Sequence, residues 1–154
     1  MTAQNKHGIT GIHHIAIRAR DFEATLAFYT AALGFRLGHS WSLPAFNLKQ
    51  AAMLQSADGQ SYIELYDGDA DIPAQGRKRL PGEPLVQTAL LHICLTAQDA
   101  AAAFRHAIAH GALPCLEPME LELGDPGIKV RNALVYSPNG EVIEFLEPVV
   151  LEQP

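Results

Sequence analysis

The feature that most constrains this 154-residue chain is an internal repeat. Each copy begins with an apolar, strand-like segment that carries a His, continues with an Asp and a helical stretch, and ends with a second apolar segment that carries a Glu. Two similar halves usually pack about a pseudo-two-fold axis, so matched residues near that axis converge. The matched residues are two His and two Glu, a set that binds metals: His14 and His92, Glu64 and Glu144.

The composition limits the kinds of partner. Hydrophobic residues make up 48% and charged residues 18% of the chain, as in ordinary globular proteins. The net charge of -6 argues against nucleic acid and anionic membrane surfaces as partners. No apolar run is long enough to span a bilayer, and the polar first residues lack the apolar core of a signal peptide. We therefore expect a cytoplasmic protein, with Cys94 and Cys115 as free thiols.

The first half predicts a βαβββ module over residues 9–66. Asp21 is placed to cap the helix, and Gly34 to end it in a left-handed conformation. A linker rich in Gly and Pro follows over residues 67–87. The predicted strands cover residues 11–19, 35–41, 49–55 and 61–66, with the helix between the first two.

The second half, residues 88–147, repeats the plan, with Asp99 as the matching cap and Gly111 as the helix stop. We expect an acidic loop over Glu117–Pro126 and a hairpin around the turn at residues 137–140. The predicted fold class is α+β, built from paired βαβββ modules. The predicted segments are strands at 88–96, 128–136 and 141–146 and a helix at 100–110.

The four repeated residues favour a metal site over their ordinary structural roles. A single Glu on a strand is usually solvated at a sheet edge, and a single buried His usually has a structural partner. The repeat reverses this balance, because no packing requirement puts a His and a Glu at equivalent points of both halves. Two imidazoles and two carboxylates suit one divalent ion, and the set does not choose among Zn, Ni, Co, Fe(II) and Mn.

Several segments give the chain a family resemblance. It resembles the vicinal oxygen chelate superfamily, which includes glyoxalase I, methylmalonyl-CoA epimerase, extradiol dioxygenases and the fosfomycin and bleomycin resistance proteins. The resemblance runs from about Ile12 to Glu147. The segments that carry it are His14–Asp21, Ala27–Phe35 with its Phe-Tyr-x-x-x-Leu-Gly-Phe pattern, Tyr62–Leu65, Leu91–Ile93 and Ser137–Phe145 with its Pro-Asn-Gly turn.

The resemblance implies a fold, a metal site and a reaction. Paired βαβββ modules of this family curl into a cup around one divalent metal, and the family's ligand positions fall on His14, Glu64, His92 and Glu144. This ligand set is most similar to that of bacterial glyoxalase I. It implies a lyase or isomerase that moves a proton on a metal-chelated hemithioacetal through an enediolate, with Glu144 or Glu64 as the base.

Substrate contacts and alternatives also follow from the resemblance. Arg18 matches a cation that binds the glutathione part of the substrate in glyoxalase I, and Lys129 and Arg131 flank a loop that supplies further contacts. The resemblance implies a homodimer with a small-molecule substrate. Two alternatives stay open: another proton-transfer enzyme, such as an acyl-CoA epimerase, and a binding or resistance protein that sequesters a small molecule.

Overall fold

The computed structural model describes residues 12–71, 82, 90, 92–123 and 126–149. The chain divides into two compact units, residues 1–71 and 72–154. The first unit contains β1 (His14–Arg18), α1 (Phe22–Ala31), β2 (Arg36–Leu43), a short 3-10 helix (Pro44–Phe46), β3 (Leu48–Gln55) and β4 (Tyr62–Tyr66). The second contains β5 (Ile93–Thr96), α2 (Ala100–Ala109), β6 (Leu113–Leu123), β7 (Ile128–Tyr136) and β8 (Val142–Leu146).

Each unit is one four-stranded mixed sheet with one helix. The strand orders are β1-β4-β3-β2 and β5-β8-β7-β6, so the two sheets have the same topology. The first strand of each unit pairs in parallel with its last strand, and the other pairings are antiparallel. The predicted α+β class with paired βαβββ modules is therefore confirmed. The module boundaries at 9–66 and 88–147 stay predictions, and most of the predicted linker at 67–87 lies outside the described residues.

The last strand of each unit separates an apolar face from a face that carries the Glu. In β4, Ile63 and Leu65 are buried, whereas Glu64 and its same-face neighbours are half-buried. In β8, Ile143 and Phe145 are buried in the same alternation. Helix α1 contacts β3 and β4, and α2 contacts β6, β7 and β8. Because side chains alternate across a strand, burying the apolar residues places each Glu on the opposite face.

One predicted segment was wrong. The acidic loop expected over Glu117–Pro126 is for the most part strand β6, which ends at Leu123. The stretch from Met119 to Leu123 alternates apolar and acidic residues with the period of a strand, and its charges face cations on β7. The density of acidic residues suggested a solvated loop, but cross-strand ion pairing makes them compatible with an exposed edge strand.

Both predicted helix caps are present. The Oδ1 atom of Asp21 accepts a hydrogen bond from the backbone N–H of Ala24 at 3.0 Å, and that of Asp99 accepts one from Ala102 at 2.8 Å. Each bond satisfies one of the N–H groups that a helix start leaves without an intrahelical partner. Gly34 and Gly111, the predicted stops, have φ angles of 72° and 96°.

The cap on α2 gives a first testable prediction. Replacing Asp99 by Ala removes the acceptor for Ala102, so we expect the free energy of unfolding to fall by about 1 kcal/mol. Denaturant unfolding measures this change. Asn at the same position keeps an oxygen acceptor, and Asp99→Asn should retain most of the stability. Equal losses in the two variants would contradict the capping role.

Candidate functional site

The first unit brings His14 and Glu64 into contact. His14 begins β1, and the parallel register sets Ala16 beside Glu64 of β4. Because side chains alternate along a strand, His14, two residues before Ala16, lies on the same sheet face as Glu64. Its Nε2 atom is 3.1 Å from Oε2 of Glu64. The Glu64 side chain is only 13% exposed. A carboxylate this well covered needs a hydrogen-bond or ionic partner, and His14 provides one.

The second unit builds the same pair from the same topology. Cys94 of β5 lies beside Glu144 of β8, and His92 precedes β5 in the position that His14 has in the first unit. The Nε2 atom of His92 is 3.1 Å from Oε2 of Glu144, and the Glu144 side chain is 15% exposed. The two halves therefore place one imidazole nitrogen and one carboxylate oxygen in the same relation.

Each unit, described by itself, holds two of the four predicted ligands. Within the part of the chain that the structure describes, no group of three or more His, Cys, Asp or Glu side chains lies close enough to hold a metal ion. The assembly of His14, Glu64, His92 and Glu144 around one ion thus stays a prediction. What is observed is the repeated pair.

Neighbouring rings support the first pair. The Nδ1 atom of His14 is 2.9 Å from Nδ1 of His13, whose ring stacks on Tyr62 at a centroid distance of 4.9 Å. Tyr66 lies two residues past Glu64 on the same face. Burial first, and then a hydrogen bond and the charge of Glu64, raise the pKa of Tyr66 to about 12. Its hydroxyl therefore stays protonated at neutral pH and can donate to the carboxylate.

The second pair has different supports. The Nδ2 group of Asn132, on β7, donates a hydrogen bond of 2.8 Å to Oε1 of Glu144. Partial burial, followed by the charge of Glu144 and a hydrogen bond to it, raises the pKa of Cys94 to about 11. The Cys94 thiol is thus a protonated neighbour of the carboxylate and not a reactive thiolate.

The three predicted substrate-binding cations have other partners. Arg18 shares the His14 face of β1, and its guanidinium donates to the carbonyl oxygens of Gly68 at 3.1 Å and Ala70 at 2.5 Å. These bonds tie the end of β1 to the segment that follows β4. A substrate contact by Arg18 is a prediction to be tested against this structural role.

Lys129 and Arg131 lie on the sheet face opposite Glu144. Leu134 pairs with Glu144, and alternation along β7 turns the odd-numbered residues to the other side. Both cations contact Glu120, at 3.7 Å for Lys129 Nζ and 3.2 Å for Arg131 Nε. Clefts of about 420 and 280 Å³ are both lined by Glu120, Arg131 and Glu147, but by neither His92 nor Glu144. A contact between these cations and a substrate therefore stays a prediction, beside the observed ion pairs with Glu120.

Asn132 is the residue near the site that sequence reasoning missed. It stands in β7 among buried apolar residues, with 6% of its surface exposed. The sequence did carry a signal for this residue, since Asn132 is a polar residue within an apolar stretch of a predicted strand. Its meaning depended on the β7–β8 register, which sets Leu134 beside Glu144 and so brings Asn132 within reach.

Comparison with known families agrees with this architecture. A model of the Glyoxalase/Bleomycin resistance protein/Dioxygenase superfamily matches residues 11–145. The chain belongs to this superfamily. The expected resemblance is therefore confirmed over nearly the whole chain. The superfamily includes glyoxalase I and also resistance proteins that bind small molecules, so membership is compatible with catalysis or with binding.

Solved structures of the superfamily share the fold. A glyoxalase family protein from Bacillus cereus has a TM-score of 0.71 and 18% identity, and the match covers 96% of this chain and 100% of that one. Glyoxalase I from Zea mays has a TM-score of 0.65 and 17% identity, with 93% of this chain and 46% of that chain covered. This superfamily member thus spans about half the length of the maize enzyme.

A binding protein is similar to the same degree. TnmS3, an antibiotic binding protein from Streptomyces sp. CB03234, has a TM-score of 0.63 and 18% identity, over 92% of this chain and 98% of that one. At such identities the likeness shows the fold alone. No curated protein matches the sequence significantly.

None of the described helices has the length and apolar character that a membrane-crossing helix requires.

Proposed function

We propose that this chain is a metal-dependent lyase or isomerase of the glyoxalase I type. The observation that carries the proposal is the His–Glu pair repeated in both halves with the same 3.1 Å separation. Stability alone does not require a largely buried carboxylate beside an imidazole at matched positions of both halves. A set of metal ligands that arose by duplication does require this arrangement.

The donor atoms fit a divalent ion. Each pair offers an imidazole Nε2 and a carboxylate oxygen, and the two pairs make the mixed nitrogen and oxygen set that Zn, Ni, Co, Fe or Mn accepts. We propose that one ion is held by one pair from each half, either within one chain or from two copies of it. His14, Glu64, His92 and Glu144 would be its ligands.

The chemistry follows from these groups. A divalent ion bound there would act as a Lewis acid on oxygens of the substrate. Glu144 or Glu64 accepts the proton from the carbon next to the carbonyl and returns it to the neighbouring carbon. Tyr66, whose pKa is raised by burial and by the neighbouring Glu64, places a protonated hydroxyl beside that carboxylate. A hemithioacetal is the proposed substrate class. The nearest alternative is an acyl-CoA thioester, whose α-carbon would lose a proton and regain it on its opposite face.

A second candidate is a protein that binds a small molecule without turning it over. The superfamily includes resistance proteins that bind small molecules, and an aromatic row in the first unit favours this candidate. There the ring of Trp41 stacks on His39 at 5.7 Å and meets Tyr66 edge-on at 6.5 Å. Such a row offers planar surface to a ligand. This candidate predicts small-molecule binding without metal and without turnover.

Metal content tests the proposal directly. Elemental analysis of untagged protein should find about one ion per chain, whether the ligands come from one copy or two. His14→Ala removes one ligand and should lose most of the metal. His110→Ala, an exposed His at the end of α2, is the matched control and should keep it.

The outcomes separate the two candidates. Metal in the unaltered chain and in the His110 variant, but not in the His14 variant, supports the enzyme and justifies assays with hemithioacetals and acyl-CoA thioesters. Protein that stays free of metal after dialysis against Ni, Co and Zn would leave the binding protein as the better account.

A further inference from the structure

We infer that Asn132 is a positioning residue that fixes the Glu144 carboxylate for metal binding, and that the second unit loses stability by carrying it. This inference rests on the proposed function, because it gives Glu144 a reason to be held. It concerns a residue that belongs to neither the His–Glu pairs nor the predicted substrate contacts.

The Glu144 carboxylate is held at both oxygens. Nδ2 of Asn132 donates to Oε1 at 2.8 Å, and Nε2 of His92 lies 3.1 Å from Oε2. The two contacts come from different parts of the sheet, since Asn132 is in β7 and His92 precedes β5. Rotation of the carboxylate about its last bond breaks at least one of them. If Glu144 were bound to a metal, the Asn132 amide would still hold Oε1 and help to orient the carboxylate.

The carbonyl oxygen of the same Asn132 amide lowers the stability of the fold. The Oδ1 atom of Asn132 is buried, and no hydrogen-bond partner for it is found among the described residues. The residue as a whole is 6% exposed. A buried carbonyl oxygen without a partner destabilises a fold, and an apolar side chain of similar volume avoids this loss. An Asn here is therefore a poor choice for stability alone.

The first unit shows that the fold does not require an amide at this position. Met53 lies beside Glu64 as Leu134 lies beside Glu144. Two residues earlier on each of these strands, Ala51 pairs with Tyr66 as Asn132 pairs with Leu146, so Ala51 is the equivalent of Asn132. The repeat thus offers an internal comparison in which the equivalent residue is a small apolar one. What distinguishes Asn132 is its hydrogen bond to Glu144.

A structural role and a positioning role predict opposite results for Asn132→Leu. This variant keeps the number of side-chain heavy atoms and the branch at Cγ, removes the unpaired oxygen and removes the donor to Glu144. If Asn132 positions Glu144, removing the unpaired Oδ1 should offset the hydrogen bond that Glu144 loses, so the metal-free variant should unfold at the same temperature as the unaltered chain or at a higher one. Its dissociation constant for Co²⁺ should be about 10–100-fold larger, as is typical when a group that orients a metal ligand is lost.

The experiment combines calorimetric titration with Co²⁺ and thermal unfolding of the metal-free proteins. Met119→Leu is the matched control, because Met119 lies opposite Asn132 on β6 and the swap should change neither reading. Asn132→Ala, which copies Ala51 of the first unit, is the second variant, and the same readings are taken on it if the Leu variant fails to fold.

The readings distinguish this inference from the proposed function. Lower thermal stability with unchanged Co²⁺ affinity would make Asn132 a structural residue, and no change in either reading would leave it without a role. Both results overturn the inference alone. If the unaltered chain binds no Co²⁺, the proposed function fails and this inference fails with it.

Discussion

Glu144→Gln should reduce turnover by about 10²–10⁴-fold while the fold is retained. The amide oxygen can still accept the hydrogen bond from Asn132, so the side chain keeps its place. The negative charge and the proton-accepting oxygen are lost, and these are what the proposed proton transfer requires. The rate of hemithioacetal isomerisation measures the loss, and circular dichroism with thermal unfolding checks the fold.

The control for this prediction is Glu117→Gln. Glu117 is an exposed residue of β6, so the variant makes the same change of charge away from the His–Glu pairs and should keep full activity. Glu64→Gln, measured in parallel, tests the second carboxylate, and the slower of the two variants identifies the main proton acceptor. Full activity in both the Glu144 and Glu64 variants would end the proposed mechanism.

Asp67→Ala should lower the free energy of unfolding by about 2–4 kcal/mol, because it leaves backbone donors without partners in a buried place. Asp67 follows β4 and is 8% exposed. Its Oδ2 atom accepts from the N–H groups of Lys49 and Gln50, each at 2.7 Å, and its Oδ1 from that of Asp69 at 3.0 Å. The carboxylate thus joins β3 to the segment after β4. Denaturant unfolding measures the loss.

The same carboxylate predicts how this stability depends on pH. Burial acts to raise the pKa of Asp67, but hydrogen bonds from Gln50, Lys49 and Asp69 and the charge of Lys49 outweigh it and lower the pKa below the ordinary value. A group whose pKa is lowered by folding contributes stability in full above its unfolded pKa of about 4. That contribution is lost as the pH falls through the folded pKa. The Asp67→Ala variant should lack this acid-sensitive part.

Asp69→Ala is the matched control for Asp67. Asp69 lies two residues away and pairs with the Lys49 ammonium at 2.8 Å, but its side chain is 65% exposed. Exposed ion pairs contribute about 0–1 kcal/mol, so this variant should lose little stability. If the two variants lose the same amount, the backbone hydrogen bonds to Asp67 are not what stabilises this part of the first unit.

Much of the fold was predictable because local patterns report local geometry. The period-two alternation around Glu64 and Glu144 predicted which residues share a face with each Glu, and the structure has those faces. The caps at Asp21 and Asp99 were predictable because a cap depends on neighbours in sequence. The repeat supplied the correspondence between halves, and with it the four residues that form the two observed His–Glu pairs.

The wrong prediction at Glu117–Pro126 and the placement of Lys129 and Arg131 have one origin. Both depend on the pairing of β6 with β7, which puts Glu120 beside Arg131 and turns both cations away from the Glu144 face. Seen alone, the acidic segment reads as a solvated loop and the cations read as free for a substrate. Strand partners distant in the chain make the acidic segment a strand and pair both cations with Glu120, while a substrate contact by these cations stays a prediction.

The sequence by itself determined the duplicated βαβββ plan, the family and the residues of the two His–Glu pairs, because periodicity, capping and repetition are visible along one strand or helix at a time. Only the tertiary structure decided the supports of those pairs. Asn132 reaches Glu144, and Asp67 reaches the backbone N–H groups of Lys49 and Gln50, through strand register. Such contacts join residues whose separation in sequence carries no pattern, and a register shift of one residue would abolish them.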